Sequence, residues 1–408
     1  MTEQTALYSQ HIRLTDKSHI VPFAGYLMPL WYSSIAAEHA AVREAAGLFD
    51  CTHMGVLEIS GEGASAFLNE LTTNNVEKLK AGRAQYAYIL DVSGNILDDV
   101  ILYRKDAEDF ILVVNAANSA KISDWIDSLL NDQINIDPKK TDRKISGKPT
   151  VQDLRIPGGK VDVALQGPKS LDILSPLVKD KKAQEQMAEL RPFQFMEVEI
   201  EGFSCLLSRT GYTGATIGFE LFVPPEKASP LWEAILDAGC PLGLLPCGLG
   251  ARDSLRIEAG LPLYGHELAG EFNISPFQAG YGWAVKLDKD FFIGKAAMEQ
   301  ISKQDDMKVA RIELPGTKGV RPVRQNDGVL DGQGRSIGWV LSCAMMGDKQ
   351  IALVYIAAGP AQEDEEIGLY YLARSQRQIQ QGKKQHVDKG ELLEPDLTGR
   401  VVSRFAKF

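Results

Sequence analysis

Apolar positions along this chain alternate between two spacings, and the changes of spacing mark its elements. Residues 34–46 carry apolar side chains at helical spacing, with Ser34 near the start and Gly47 just past the end, which predicts an amphipathic helix. Residues 56–59 predict a short strand and residues 64–71 a helix. The clearest hairpin comes next: 84–91 and 96–103 are strand-like and are joined by Val92-Ser93-Gly94-Asn95. Residues 110–114 predict a third strand, and Asn118 stands where it would cap a helix running through Trp125 to residue 130. Strands are expected at 161–166, 195–200, 204–209 and 218–223, followed by a helix over 231–238. Gly248 and Gly250 then turn the chain into a helix that carries Arg252 and Arg256 on one face.

Two stretches change character. Between 137 and 160, Lys139, Lys140, Arg143, Lys144, Lys148, Arg155 and Lys160 crowd together with Pro138, Pro149 and Pro157. This reads as a solvated excursion or a separate hairpin, or else as a contact surface for an acidic partner. A boundary falls around 304–308. Beyond it short strands dominate, at 309–314, 336–341, 351–356, 369–373 and 401–405, with loops expected at 363–366 and 375–389. The chain therefore divides into an α+β region over 1–300 and a small all-β domain over 301–408.

Composition narrows the function classes. A chain of 408 residues, 44% hydrophobic and 24% charged, is too long for one core and belongs to ordinary soluble globular proteins. Its net charge of −10 disfavours nucleic acid and anionic membranes as partners, while leaving room for a local basic pocket. No apolar run approaches the roughly 20 residues of a membrane span. The first fifteen residues lack both a signal-peptide core and a transit-type helix, so the cytoplasm is the expected compartment. The five cysteines are odd in number and form no Cys-x-x-Cys, which predicts reduced, mostly buried thiols. The six histidines have no ligand spacing, and no metal site is expected.

Several residues carry candidate chemistry. In the second hairpin strand, alternation groups Asp98 with Ile96, Val100 and Leu102, and Asp99 with Leu97, Ile101 and Tyr103. Both faces are otherwise apolar, so at least one carboxylate is partly buried. Either the backbone or a lysine satisfies both acids, or one of them faces a site where a raised pKa suits proton transfer. Glu220 stands mid-strand between Phe219 and Leu221, a position that is solvent-facing unless a ligand claims it. Gly211 and Gly214 around Tyr212 permit close approach to a planar ligand. Arg252 and Arg256 are answered either by Asp253 or Glu258 or by an anion at the helix start. By periodicity Tyr86, Tyr88 and Tyr103 are core. No dinucleotide fingerprint, phosphate loop or Gly-x-Ser-x-Gly elbow is present.

Seven ordered segments nevertheless resemble the T-protein (aminomethyltransferase) family of the glycine cleavage system. They are 22–32 (Pro-Phe-Ala-Gly-Tyr-Leu-Met-Pro-Leu-Trp-Tyr), 47–55 (Gly-Leu-Phe-Asp-Cys-Thr-His-Met-Gly), 93–103, 113–118 (Val-Val-Asn-Ala-Ala-Asn), 208–220, 246–265 and 275–295. The resemblance implies a multidomain fold, with two intertwined α+β subdomains around a central folate-containing channel and a C-terminal β-barrel. It implies tetrahydrofolate as co-substrate and a lipoylated H-protein as partner. It aligns Asp99 with the family's catalytic aspartate. It aligns the folate contacts with Glu220, Arg252, Tyr103, Val113 and Asn115, and the cavity lining with Met54, Tyr86 and Tyr212. The implied reaction moves an aminomethyl carbon from the lipoyl arm to tetrahydrofolate and releases ammonia.

The chain departs from the family by one extra residue between Gly214 and Phe219, a longer basic excursion, Ser342-Cys-Ala-Met-Met346 in place of a Thr-Ser-Gly…Ser-Pro element, and an early stop. Those departures keep a folate-dependent demethylase of the same family as the alternative. The absence of a cysteine from residues 290–295 speaks against the family's iron–sulfur assembly relatives.

Overall fold

The computed structural model describes residues 2–360 and 362–408. It has two compact units: one holds the chain up to Arg252 together with Ala284–Met298, the other Asp253–Trp283 and Glu299–Phe408.

The first unit opens with a small three-stranded sheet of β1 (Glu3–Gln4), β2 (Ile20–Phe23) and β3 (Tyr26–Pro29). Two larger sheets follow. One has six strands in the order β11 (Phe195–Ile200), β12 (Phe203–Ser208), β13 (Gly218–Val223), β10 (Val161–Gln166), β4 (Ala46–Asp50) and β14 (Leu244–Cys247). The other has five, β6 (Arg83–Leu90), β7 (Ile96–Asp106), β8 (Asp109–Val114), β5 (Gly55–Ser60) and β9 (Thr150–Asp153). The helices Ile35–Glu44, Ala64–Leu71 and Ser119–Leu130 lie close to their expected spans.

Alternation along the strands decides which side chains go where. Val161, Val163 and Leu165 of β10 and Phe219, Leu221 and Val223 of β13 point outward from the six-stranded sheet, into a core with Leu231, Trp232 and Ile235 of the helix Pro225–Gly239. Val100 and Leu102 of β7 and Phe110, Leu112 and Val114 of β8 do the same on the other sheet, against Phe67, Leu68, Ile122 and Ile126. The inner faces meet through a smaller cluster of Val56, Tyr103, Ile111, Val113, Leu206 and Phe222. Each outer core is thick enough that truncating Phe67 or Trp232 to alanine costs about 3–5 kcal/mol. The inner cluster is thin, and it is there that polar residues gather.

Three expectations change. The basic stretch is only in part a solvated excursion: residues 138–149 are turns and coil, largely exposed, but Thr150–Asp153 forms β9, which pairs antiparallel with β5 as the edge of the five-stranded sheet. Part of its charge is answered within the chain, Arg143 by Glu70 at 2.7 Å, Lys148 by Asp132 at 3.0 Å and Arg155 by Asp153 at 2.6 Å. Asn118 occupies the N-cap position but makes no side-chain cap; its amide is spent on Asp98. The run 375–389 contains the short helix Gln376–Gln380, capped by the Ser375 hydroxyl.

In the second unit six strands close into a barrel, in the order Met307–Pro315, Lys349–Ala357, Ser336–Met346, Gly328–Leu330, Glu366–Tyr370 and Leu397–Val402. Closure removes the sheet edges. A buried polar network belongs to this unit. Glu267 Oε2 takes Arg256 Nη1 at 2.6 Å, Arg256 Nη2 donates to Ser342 Oγ at 3.0 Å, Asp253 receives Arg256 Nε at 2.7 Å, and the Ser342 hydroxyl reaches Glu267.

Candidate active site between the two sheets

The two neighbouring acids of β7 part company. Asp98 faces the outer side and is fully buried; it accepts the Asn115 backbone N–H at 2.9 Å, the Asn115 amide at 2.8 Å and the Asn118 amide at 2.6 Å. Asp99 faces inward and is half-buried. Its Oδ2 accepts the Tyr86 hydroxyl at 2.8 Å and its Oδ1 the Asn115 amide at 2.9 Å. Burial raises the pKa of both; Asp99 adds repulsion to Asp98, while the hydrogen bonds from Asn115 and Asn118 oppose the rise at Asp98, and those from Tyr86 and Asn115 oppose it at Asp99. The Asn115 amide thus bridges two carboxyls that resist ionising together.

Glu220 is half-buried on the inner face of β13. Its Oε2 accepts the Tyr103 hydroxyl at 3.2 Å and the Thr210 hydroxyl, which leaves Oε1 for other donors. Burial raises its pKa, against Thr210, Tyr103 and Arg252. Tyr103 is fixed edge-on between Phe195 at 5.6 Å and Phe222 at 5.3 Å. Arg252 donates to Cys51 Sγ at 3.0 Å and lies over the Tyr212 ring at 5.4 Å. Burial pushes the Cys51 thiol up, so it stays a neutral partner. No carboxylate among the described residues lies within ion-pair distance of Arg252. Met54 packs half-buried against the inner cluster that contains Val113.

The start of the Arg252 helix is not open to an anion. The Gly248 N–H donates to Glu38 Oε2 at 2.8 Å, and Glu38 also accepts from the Tyr32 and Ser33 backbones at 2.6 and 2.9 Å. The chain supplies its own buried carboxylate there, and a Cβ at Gly248 would collide with the Leu30 carbonyl at 2.6 Å. Gly211 makes room for protein as well: a Cβ there would meet the Gln166 amide at 1.9 Å.

Asp99, Tyr86, Asn115, Tyr103, Val113 and Met54 therefore gather on one inner face, and Glu220 on the other, with the Tyr103–Glu220 bond joining the sheets; Tyr212 and Arg252 pair beside Cys51 of the six-stranded side. Sequence reasoning passed over Thr210, Cys51 and Asn118. Thr210 lies inside the segment 208–220 that pointed to this site, two residues past a strand end, and its approach to Glu220 depends on how the loop folds back. Cys51 lies inside the segment 47–55, but its own residue type read only as a buried thiol.

The GCVT N-terminal domain family model matches residues 8–289. An aminomethyltransferase of Symbiobacterium thermophilum is 40% identical over 379 residues, 91% of this chain and 94% of that protein. One from Geobacillus kaustophilus is 44% identical over 302 residues, 74% of this chain and 76% of that protein. The crystal structure of the glycine cleavage system aminomethyltransferase T from Bartonella henselae superposes with a TM-score of 0.77 at 29% identity, covering 99% of this chain and 97% of that one.

Proposed function

This chain belongs to the aminomethyltransferase family, and from that premise we propose that it moves an aminomethyl carbon from the lipoyl arm of an H-protein to tetrahydrofolate, releasing ammonia. The observation that carries the reading is the pair of half-buried carboxylates, Asp99 and Glu220, on facing sheets and joined through Tyr103. Tyr103 and Asp99 lie four residues apart on the same face of β7, about 13 Å of strand. That span suits a bicyclic ring with a hydrogen bond at each end.

The residues fit the folate. Glu220 Oε1 is available to the side-by-side ring N–H and amino donors of a pterin, a charge-assisted pairing. Arg252, which lies over Tyr212 and has no carboxylate within ion-pair distance among the described residues, is suited to an anionic or carbonyl group. Met54, Tyr86 and Val113 supply apolar and aromatic walls. Tetrahydrofolate supplies the two nitrogens that receive the carbon. Two bonds to that carbon break, to the amine and to the lipoyl sulfur, and the two folate N–H protons leave with those groups. Asp99, held by Tyr86 and Asn115 with a raised pKa, is suited to take a proton at its carboxylate and return it to the departing amine. Fixing donor and acceptor side by side supplies effective concentration.

A carrier with an acidic face has a place to dock. A cavity of about 690 Å³ in the first unit is lined by Lys78, Lys80, Arg83 and Lys286 with no carboxylate among its lining residues. Asn74 of that lining donates to the Tyr86 carbonyl at 2.8 Å, so the wall reaches the strand that bears Tyr86. The test is ammonia release on mixing the protein with tetrahydrofolate and aminomethyl-loaded H-protein. Turnover of a free methylated donor with no ammonia from the loaded carrier would replace this reading with a demethylase.

A further inference from the structure

A third acid lies on the inner face of the six-stranded sheet, and the reaction just described does not use it. Asp162 stands on β10 between Val161 and Val163, which turn into the outer core, so its own side chain turns inward, in register with Phe222 of β13. It is 2% exposed, and among the described residues its Oδ1 has no hydrogen-bond partner. Glu220 pairs with Ala164 on the same two strands. The two carboxyls therefore share one face, set diagonally across the strand pair with about 7–8 Å between their α-carbons. A fully buried carboxyl oxygen without a partner is costly in the free protein, and a donor or acceptor brought by a ligand would relieve it.

We propose that Asp162 is a second pterin-recognition residue, reading the N1/2-amino edge of the ring while Glu220 reads the 2-amino/N3 edge. The inference rests on the folate reading above. The two flanks of the pterin amino group differ chemically. The N3 side offers two donors and suits an ionised carboxylate. The N1 side offers an acceptor beside a donor and suits a neutral carboxylic acid, which has one O–H and one C=O. Asp162 has the surroundings of the neutral form: burial first, then the Glu220 and Asp50 carboxylates, raise its pKa, against Arg252. The groups that face it are Glu220 from β13, Asp50 and the neutral Cys51 thiol from the β4 strand and its end, Tyr103 from β7 and Arg252. One proton on the Asp162–Glu220 pair lets both edges be read at once.

The test is tetrahydrofolate affinity, measured by calorimetry on the full chain. Asp162→Asn keeps a donor beside an acceptor and should bind within about threefold of wild type, whereas Asp162→Leu should bind at least about tenfold more weakly. A tetrahydrofolate analogue with C–H in place of N1 should lose that same factor on wild type and bind wild type and Asp162→Leu alike. This last comparison does not move if Asp162 is merely structural, and its wild-type arm stands even if the leucine variant does not fold. Equal tetrahydrofolate affinity for Asp162→Leu and wild type, an asparagine variant as weak as the leucine one, or no loss with the analogue on wild type each overturns the proposal. Glu220→Gln binding as tightly as wild type would instead sink the folate reading itself.

Discussion

Two arginines four residues apart on the helix Leu249–Ala259 have opposite surroundings. Arg256 is buried with Glu267 and Asp253 on its guanidinium and Ser342 bridging the acid and the base. Arg252 has a neutral thiol and an aromatic ring, and among the described residues no ion pair. A charge whose partners are all supplied by the chain is holding the chain together. One that has carboxyls such as Glu220 acting on it only from beyond ion-pair distance is suited to a group that arrives. The same contrast separates Asp98, with three donors, from Asp99, which is half-buried with two, and it separates the apolar outer faces of the sheets from their inner ones.

The contrast can be broken by experiment. The largest effect is expected at Asp99→Asn: turnover with loaded carrier should fall by about 10²–10⁴ while tetrahydrofolate affinity holds. Near-normal turnover would make Asp99 no more functional than Asp98. Next, Glu267→Gln should cost the fold about 3–5 kcal/mol by stranding buried Arg256, read as a drop in the urea midpoint. A negligible shift would remove the distinction between the two arginines.

Acid should expose a third difference. Burial, with Arg252 nearby, holds His53 down at about 3, below the usual 6.5. Between those values the unfolded chain binds a proton that the folded chain refuses. Stability should therefore fall as pH drops from 6.5 towards 3, by about 1.4 kcal/mol per unit at full slope. Asp50 behaves as a depressed acid: burial works against its ionisation, but His11 at 2.7 Å brings it to about 2. Its contribution is present above the usual carboxylate range and is lost as pH falls from about 4 towards 2. His53→Gln should flatten the stability curve between pH 6.5 and 4, and an unchanged slope would place that proton elsewhere. The smallest effect belongs to Arg252→Met, which should weaken tetrahydrofolate binding by about tenfold and leave the melting temperature almost unmoved. A large melting shift would make Arg252 a second Arg256.

Much of the architecture was legible because alternation and helical spacing are local. The helix Ala64–Leu71 and the strands Val161–Gln166, Phe195–Ile200 and Gly218–Val223 fall where periodicity puts them. The β6–β7 hairpin is written in its turn. Alternation also separated Asp98 from Asp99, although it took the fold to show which face is the outer one. Asn118 reads as a cap because its position in sequence is a cap position; only a carboxylate 20 residues earlier, brought alongside by the sheet, diverts it. Glu38 reads as one more polar residue on a helix, and nothing near it in sequence shows that it fills the start of a helix 210 residues further on.

The sequence by itself determined most of the strands and helices, the placing of Asp98 and Asp99 on opposite faces and the family to which the chain belongs, since all of these follow from short-range spacing and from ordered motifs. Tertiary structure alone decided which polar groups are answered and which are left waiting. Asp162 and Val163 differ by one step along a strand, yet one faces a core and the other an unfilled hydrogen-bonding need. That outcome depends on what the neighbouring strands and the facing sheet bring within 3 Å or so of each polar atom, the reach of a hydrogen bond, and no local pattern encodes it.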